Sequence, residues 1–122
     1  MNWLYDTNED NSARFTLGEY DTFISKTLIC FGINPSTATP KNLDNTIRKI
    51  KTISKNNGYV NWIMLNIYPQ RATNPKTLHQ IQDNNLVDNN LTYIKKVLEG
   101  FKNADILFAY GNLIGLGVVS KA

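Results

Sequence analysis

Residues 28–38 read Leu-Ile-Cys-Phe-Gly-Ile-Asn-Pro-Ser-Thr-Ala, and their order decides the fold. The apolar run Leu28-Ile29-Cys30-Phe31 shows no polar alternation, the pattern of a strand covered on both faces, as in a parallel sheet. It stops abruptly at Gly32-Ile33-Asn34-Pro35-Ser36-Thr37. A buried strand that ends this way delivers polar groups to the carboxyl edge of a sheet, where open α/β folds place their ligands. Pro35 keeps the residue before it out of helical backbone, so Asn34 is held extended with its amide aimed in one direction. Ser36 and Thr37 follow at once as helix caps or anion contacts.

Upstream of this run, residues 1–12 are polar, with acids at Asp6, Glu9 and Asp10, and read as a loose lead-in. Arg14-Phe15-Thr16-Leu17 alternates, which predicts a short edge strand or hairpin arm with Gly18 as its turn. Downstream, Leu43, Ile47, Ile50 and Ile53 recur at three- and four-residue steps, while Arg48, Lys49, Lys51 and Lys55 fill the other faces. The spacing predicts a helix over 41–56, stopped by Asn57-Gly58. A second strand runs over 59–67 and ends at Pro69; Asn74-Pro75 opens a short helix to about Ile81. Val87, Leu91, Ile94, Leu98 and Phe101 form the cleanest helical stripe, near 86–100, and a third strand follows near 105–110.

Strand–helix–strand–helix–strand at this spacing implies right-handed parallel crossovers. The fold expected is α/β, a three-layer α/β/α sandwich with a small, mainly parallel sheet, as one domain over residues 1–122. An edge is left open beside the third strand, for a partner chain or a second copy to cover.

Composition bounds the function. The 122 residues are 42% apolar, enough for one modest core, and a net charge of +3 is compatible with a polyanionic partner without the basic blocks of a dedicated nucleic-acid arm. A single cysteine excludes an internal disulfide, and the single histidine, His79, has no partner at metal-ligand spacing, so no metal and no cofactor are expected. His79 sits beside Leu78 and Ile81 and reads as a partly buried structural residue. No run reaches membrane-spanning length; a soluble, cytoplasmic protein without a membrane partner is the expectation.

The candidate site gathers at the strand ends. Asn34, Asn66 and Tyr110-Gly111-Asn112 each follow an apolar strand, and parallel strands bring such ends to one edge. Asn is also common at turns, because its side chain bonds nearby backbone, and that reading stands beside the functional one. Asp44 and Arg48 lie four apart and share a helix face if the helix has begun by Asp44. They are either a helix-dipole acid with a surface ion pair, or a carboxylate for acid–base work with an arginine for phosphate. Arg71, with Thr73 beside it on the loop leaving the second strand, is placed to fork a phosphate or carboxylate. Phe31 or Tyr68 could stack on a ring, although Phe31 also suits the core. The Lys/Arg face of helix 41–56 is an ordinary solvated face or a guide for a nucleic-acid backbone.

Gly32-Ile33-Asn34-Pro35-Ser36-Thr37-Ala38, Asp44-Asn45-Thr46-Ile47-Arg48, Leu65-Asn66-Ile67-Tyr68 and Arg71-Ala72-Thr73 together resemble domain-of-unknown-function family 1643, from about Arg14 to Asn112. That family name carries no activity. Gly-Ile-Asn-Pro at the end of a first strand also resembles the water-positioning motif of the mismatch-specific uracil/thymine DNA glycosylases. Asn66 is similar to the base-reading Asn of that superfamily, and Tyr110-Gly111-Asn112 to its Trp-Gly-Ser turn. The resemblance implies a uracil-DNA-glycosylase-like architecture whose fourth strand and His-Pro-Ser loop are missing from a sequence ending at Ala122. It further implies a water held on Asn34, acting on a sugar carbon while the base leaves as an anion, with Asp44 beside it. Asn66 offers a donor and an acceptor to the amide edge of a pyrimidine. Ser36, Thr37, Arg48, Tyr68, Arg71, Thr73, Gly111 and Asn112 would complete the ligand contacts. Two functions follow: a nucleobase-, nucleotide- or DNA-binding site with weak N-glycosidic hydrolysis, or a non-catalytic module for a small anionic ligand or a protein partner.

Overall fold

The computed structural model describes residues 1–71, 84–109 and the backbone of 118–120. In chain order the elements are β1 (Asn2–Thr7), β2 (Arg14–Tyr20), β3 (Thr27–Gly32), α1 (Asn45–Asn56), β4 (Asn61–Asn66), α2 (Asn84–Gly100), β5 (Ala104–Phe108) and β6 (Val118–Ser120). They form one six-stranded sheet in the order β1-β2-β4-β3-β5-β6. The predicted parallel core is present: β3 pairs in parallel with β4 on one side and with β5 on the other. Its flanks are antiparallel, β2 on β4 and β6 on β5.

Side chains alternate across the central strands, as extended backbone requires. Leu28, Cys30, Trp62, Met64 and Leu107 face Ile47 and Ile50 of α1. Ile29, Ile63 and Leu65 pack instead with Val97 of α2 and with Phe101. Each helix therefore covers one face, and the two apolar clusters account for the continuous hydrophobic run that Leu28 begins.

Four sequence expectations are corrected. Residues 2–7 are not a loose lead-in: β1 pairs with β2 from Asn2↔Tyr20 to Thr7↔Arg14. Alternation over only half a hairpin gave no sign of the partner. Gly18 is not a turn but lies inside β2, where a Cβ would stand 2.4 Å from the Trp62 carbonyl oxygen and 2.9 Å from Ile63 Cα. It is a close approach of two backbones. The helix placed at 41–56 begins at Asn45, because Asp44 is its N-cap: the backbone there is extended (φ −87°, ψ 177°) and the carboxylate accepts from Ile47 N. Lastly, β6 lies against β5 from Asp105↔Ser120 to Leu107↔Val118, so the edge expected to stand open is paired within the chain. At the other end of α1 the expected stop holds, with Gly58 at φ +79°.

An irregularity in β2 sets the direction of a buried side chain. Tyr5, Asp6 and Thr7 oppose Leu17, Thr16 and Arg14, which leaves Phe15 as an extra residue in β2. Phe15 stacks on Tyr93 of α2, with ring centroids 4.8 Å apart. Because two successive residues, Phe15 and Thr16, are spent on one side, Arg14 is turned to the α1 side that Leu17 and Tyr5 share. Bulges re-aim side chains in this way.

Candidate functional site

β3 leaves the sheet toward α1 on one face, whereas β4 leads on to α2 on the other. The carboxyl ends of parallel strands are where open α/β sheets bind their ligands. Here that end is Gly32, in register with Asn66. The parallel pairing continues one step further, through Ile67 N to Gly32 O at 2.9 Å and Tyr68 N to Ile33 O at 2.9 Å.

Asn66 is 1% exposed, yet among the described residues neither its Nδ2 nor its Oδ1 has a hydrogen-bond partner. Its amide lies across Gly32, where a Cβ would come within 2.8 Å of Oδ1. The Asn66 backbone carbonyl accepts from Nδ2 of Asn90 at 2.8 Å, so α2 grips the main chain and leaves the side chain alone. A buried amide without partners costs about 1–3 kcal/mol, and native proteins rarely keep one without a use for it.

Asn34 is arranged differently. Its Nδ2 donates to the Gln70 carbonyl at 3.4 Å, which orients the amide and leaves Oδ1 as a free acceptor among the described residues. The loop after it is tied to α1 by a hydrogen bond from the Ser36 hydroxyl to Asp44, whose other carboxylate oxygen accepts from Ile47 N at 2.9 Å. Asp44 is thus occupied at both oxygens. Thr37 is exposed. Arg48 is exposed as well and turns away from Asp44, donating to Asn45 Oδ1 at 3.2 Å. The Asp44–Arg48 helix-face pair of the sequence expectation does not form: Asp44 caps the helix instead of riding on it.

Arg71 is brought to the loop, as expected, and a second arginine joins it. Arg14 is 1% exposed. Its Nη1 donates to the Ala38 carbonyl at 3.0 Å, and Nη1 of Arg71 reaches the same oxygen at 3.4 Å. Arg71 also donates to the Ser36 carbonyl at 3.5 Å and, through Nη2, to the Tyr5 hydroxyl at 2.6 Å. The main chain fixes both residues: Arg14 N donates to Pro69 O at 2.9 Å and Arg71 N to Ser12 O at 2.8 Å. Burial, with the like charge of Arg71 beside it, lowers the Arg14 guanidinium to about 10. Arg14 escaped the sequence reading because alternation treated it as one polar position of a short strand. The bulge that turns it inward has no local signature.

The remaining expected residues divide simply. Phe31 is half-buried in the α2-side core and stacks on Phe108 at 6.1 Å, so its ring serves packing. Tyr68 is half-buried beside the strand end. Thr73, His79, Tyr110, Gly111 and Asn112 lie outside the described residues. Two shallow clefts open on the α2 side of the sheet, each lined by Tyr93 and Lys96 of α2. None of the helices among the described residues is long and apolar enough to cross a membrane.

No curated protein and no solved structure matches the chain. Residues 14–121 match the model of the family described as proteins of unknown function, DUF1643, and the chain therefore belongs to that family.

Proposed function

We propose that the carboxyl edge of β3 and β4 binds a nucleobase or nucleotide, with the side-chain amide of Asn66 reading the edge of the base. The observation that carries this reading is the pair of amide atoms, unpartnered among the described residues, on a fully buried Asn66 at the carboxyl end of a parallel strand. One donor and one acceptor side by side complement the N–H and C=O of a pyrimidine amide edge. Gly32 supports the reading because only a residue without a Cβ lets the amide lie across this strand end.

The catalytic form of the proposal is hydrolysis of an N-glycosidic bond, led by a water accepted on Asn34 Oδ1. A neutral amide cannot take up the water's proton efficiently, so the site acts through fixed dipoles on a base that departs as an anion. The resemblance of Gly32-Ile33-Asn34-Pro35 to the glycosylase water-positioning motif is the further support.

Calorimetry with uridine, thymidine, cytidine and adenosine tests the binding. We expect a pyrimidine nucleoside to bind and Asn66→Leu to abolish binding in a folded protein. Unchanged binding by Asn66→Leu overturns the reading. Abasic-site formation on uracil- and mismatch-containing oligonucleotides tests catalysis, and Asn34→Ala should lower any such activity about 10²-fold, the usual scale for one preorganised polar group.

A further inference from the structure

We infer that Arg14 and Arg71 form a buried receptor for a phosphoryl group, which deepens the nucleotide reading above but rests on different atoms. Two guanidinium groups converge on one neutral acceptor, the Ala38 carbonyl, at 3.0 and 3.4 Å. Like charges brought together this way repel unless an anion lies between them. Among the described residues the ion pairs are Lys51–Glu19 and Lys95–Glu99, and neither involves Arg14 or Arg71. Asp44 lends the pair a favourable field from further off, but both its oxygens are engaged by Ser36 and Ile47.

The hydrogen-bond inventory points the same way. The Nε–H groups of both arginines are buried and have no acceptor among the described residues. The bonds from Arg71 Nη1 to Ser36 O and Ala38 O are long, 3.5 and 3.4 Å, while Nη2 is anchored on the Tyr5 hydroxyl at 2.6 Å. An oxyanion entering beneath the 36–38 loop would exchange those long contacts for charge-assisted ones and give both Nε–H groups an acceptor. The backbone bonds to Pro69 and Ser12 keep the two side chains on adjacent segments while this happens. The chemical class follows from geometry. One guanidinium fork is enough for the two oxygens of a carboxylate, whereas two forks from separate segments suit the three free oxygens of a phosphate monoester.

The test uses the full chain at constant ionic strength, with inorganic phosphate as probe, followed by calorimetry and by the arginine Nε–H resonances of ¹⁵N-labelled protein. We expect phosphate to bind and to shift two Nε–H signals, those lost in Arg14→Lys and Arg71→Lys. Arg71→Met should weaken binding about tenfold to a hundredfold, the scale of losing a charge-assisted pair of hydrogen bonds. Arg71→Lys should recover only part of the loss, since it restores charge without the fork. Lys49→Met, on the exposed face of α1, should bind as the unaltered chain does. If Arg14→Met does not fold, the Arg71 variants and the resonance shifts decide alone. Three outcomes overturn the inference: no binding of phosphate at millimolar concentration, binding that Arg71→Met leaves intact, or acetate competing on equal terms. A nucleoside without phosphate separates the two proposals. Nucleoside binding with no response to phosphate sinks the arginine receptor and spares Asn66, and phosphate binding with no response to nucleosides does the reverse.

Discussion

Two asparagines at opposite ends of β4 are equally buried and oppositely used. Asn61, 0% exposed, stands at the amino end. Its Oδ1 accepts from Asp21 N at 2.7 Å, and its Nδ2 donates to Thr22 O at 2.8 Å and to Thr27 Oγ1 at 2.9 Å. Asn66, at the carboxyl end, makes none of these bonds. Same residue, same strand, same burial: the difference lies in what is folded against each end of the strand. At the amino end the amide stitches the 21–27 turn to the sheet. At the carboxyl end the fold retains an amide that it does not use itself, which is how a site differs physically from a scaffold.

Substitutions can break this contrast, beginning with the largest effect. Gly18→Ala should be the most damaging single change, by about 3 kcal/mol, because the new methyl meets backbone on β4 that cannot yield. Gly32→Ala should cost less in urea unfolding, since its methyl meets the movable ends of Met64 and Asn66, yet it should displace the Asn66 amide and impair ligand binding. A Gly32→Ala protein as unstable as Gly18→Ala would mean that the carboxyl end is as rigid as the interior.

Asn61→Leu should destabilise by about 2 kcal/mol, because it removes three hydrogen bonds, one of them to the buried Thr27 hydroxyl. Asn66→Leu should do the opposite and raise the free energy of unfolding in urea by about 1 kcal/mol, since it replaces an unsatisfied amide with an apolar group of the same branching. Equal losses at both positions would erase the comparison, and with it the argument that Asn66 is held for a ligand.

Asp44→Ala should cost about 1 kcal/mol through loss of the α1 cap, and Asp44→Asn much less, because an asparagine caps as well. A far larger loss of activity than of stability in Asp44→Asn would restore a chemical role to this carboxylate. The smallest effect concerns Cys30, in the α1-side core. Burial pushes its thiol up to about 12, so at pH 8 the nucleophilic thiolate is scarce and the sulfur is covered as well. A thiol-specific reagent should label it only at the rate at which the chain opens. Fast labelling of folded protein would show that the core beneath the site is open.

Much of this arrangement was legible along the chain, for reasons that can be named. The parallel core was readable because burial on both faces demands an uninterrupted apolar run, which Leu28–Phe31 and Trp62–Leu65 supply. Asn34 and Asn66 were readable as strand ends because each follows such a run directly, and Gly58 as a stop because its backbone conformation favours glycine. The pairing of β1 was not legible, since its partner strand lies beyond a turn and its side chains are half-exposed. Arg48 illustrates the same limit from the other side: its spacing from Asp44 was right for a pair, and a one-residue shift in the helix start removed it.

By itself, then, the sequence determined the α/β class, the parallel core and the two asparagines at its strand ends, because periodicity and turn chemistry are local properties of the chain. Tertiary structure alone decided which of those polar groups are satisfied. Asn61 and Asn66 bracket the same apolar run, and only the neighbours folded against them give one three partners and the other, among the described residues, none. Arg14 depends still more on the fold. A bulge defined by pairing between two strands turns it to the α1 side, where it meets Arg71, 57 positions further along the chain. Hydrogen-bond satisfaction and charge proximity are properties of pairs distant in sequence, so no reading of either partner alone could have fixed them.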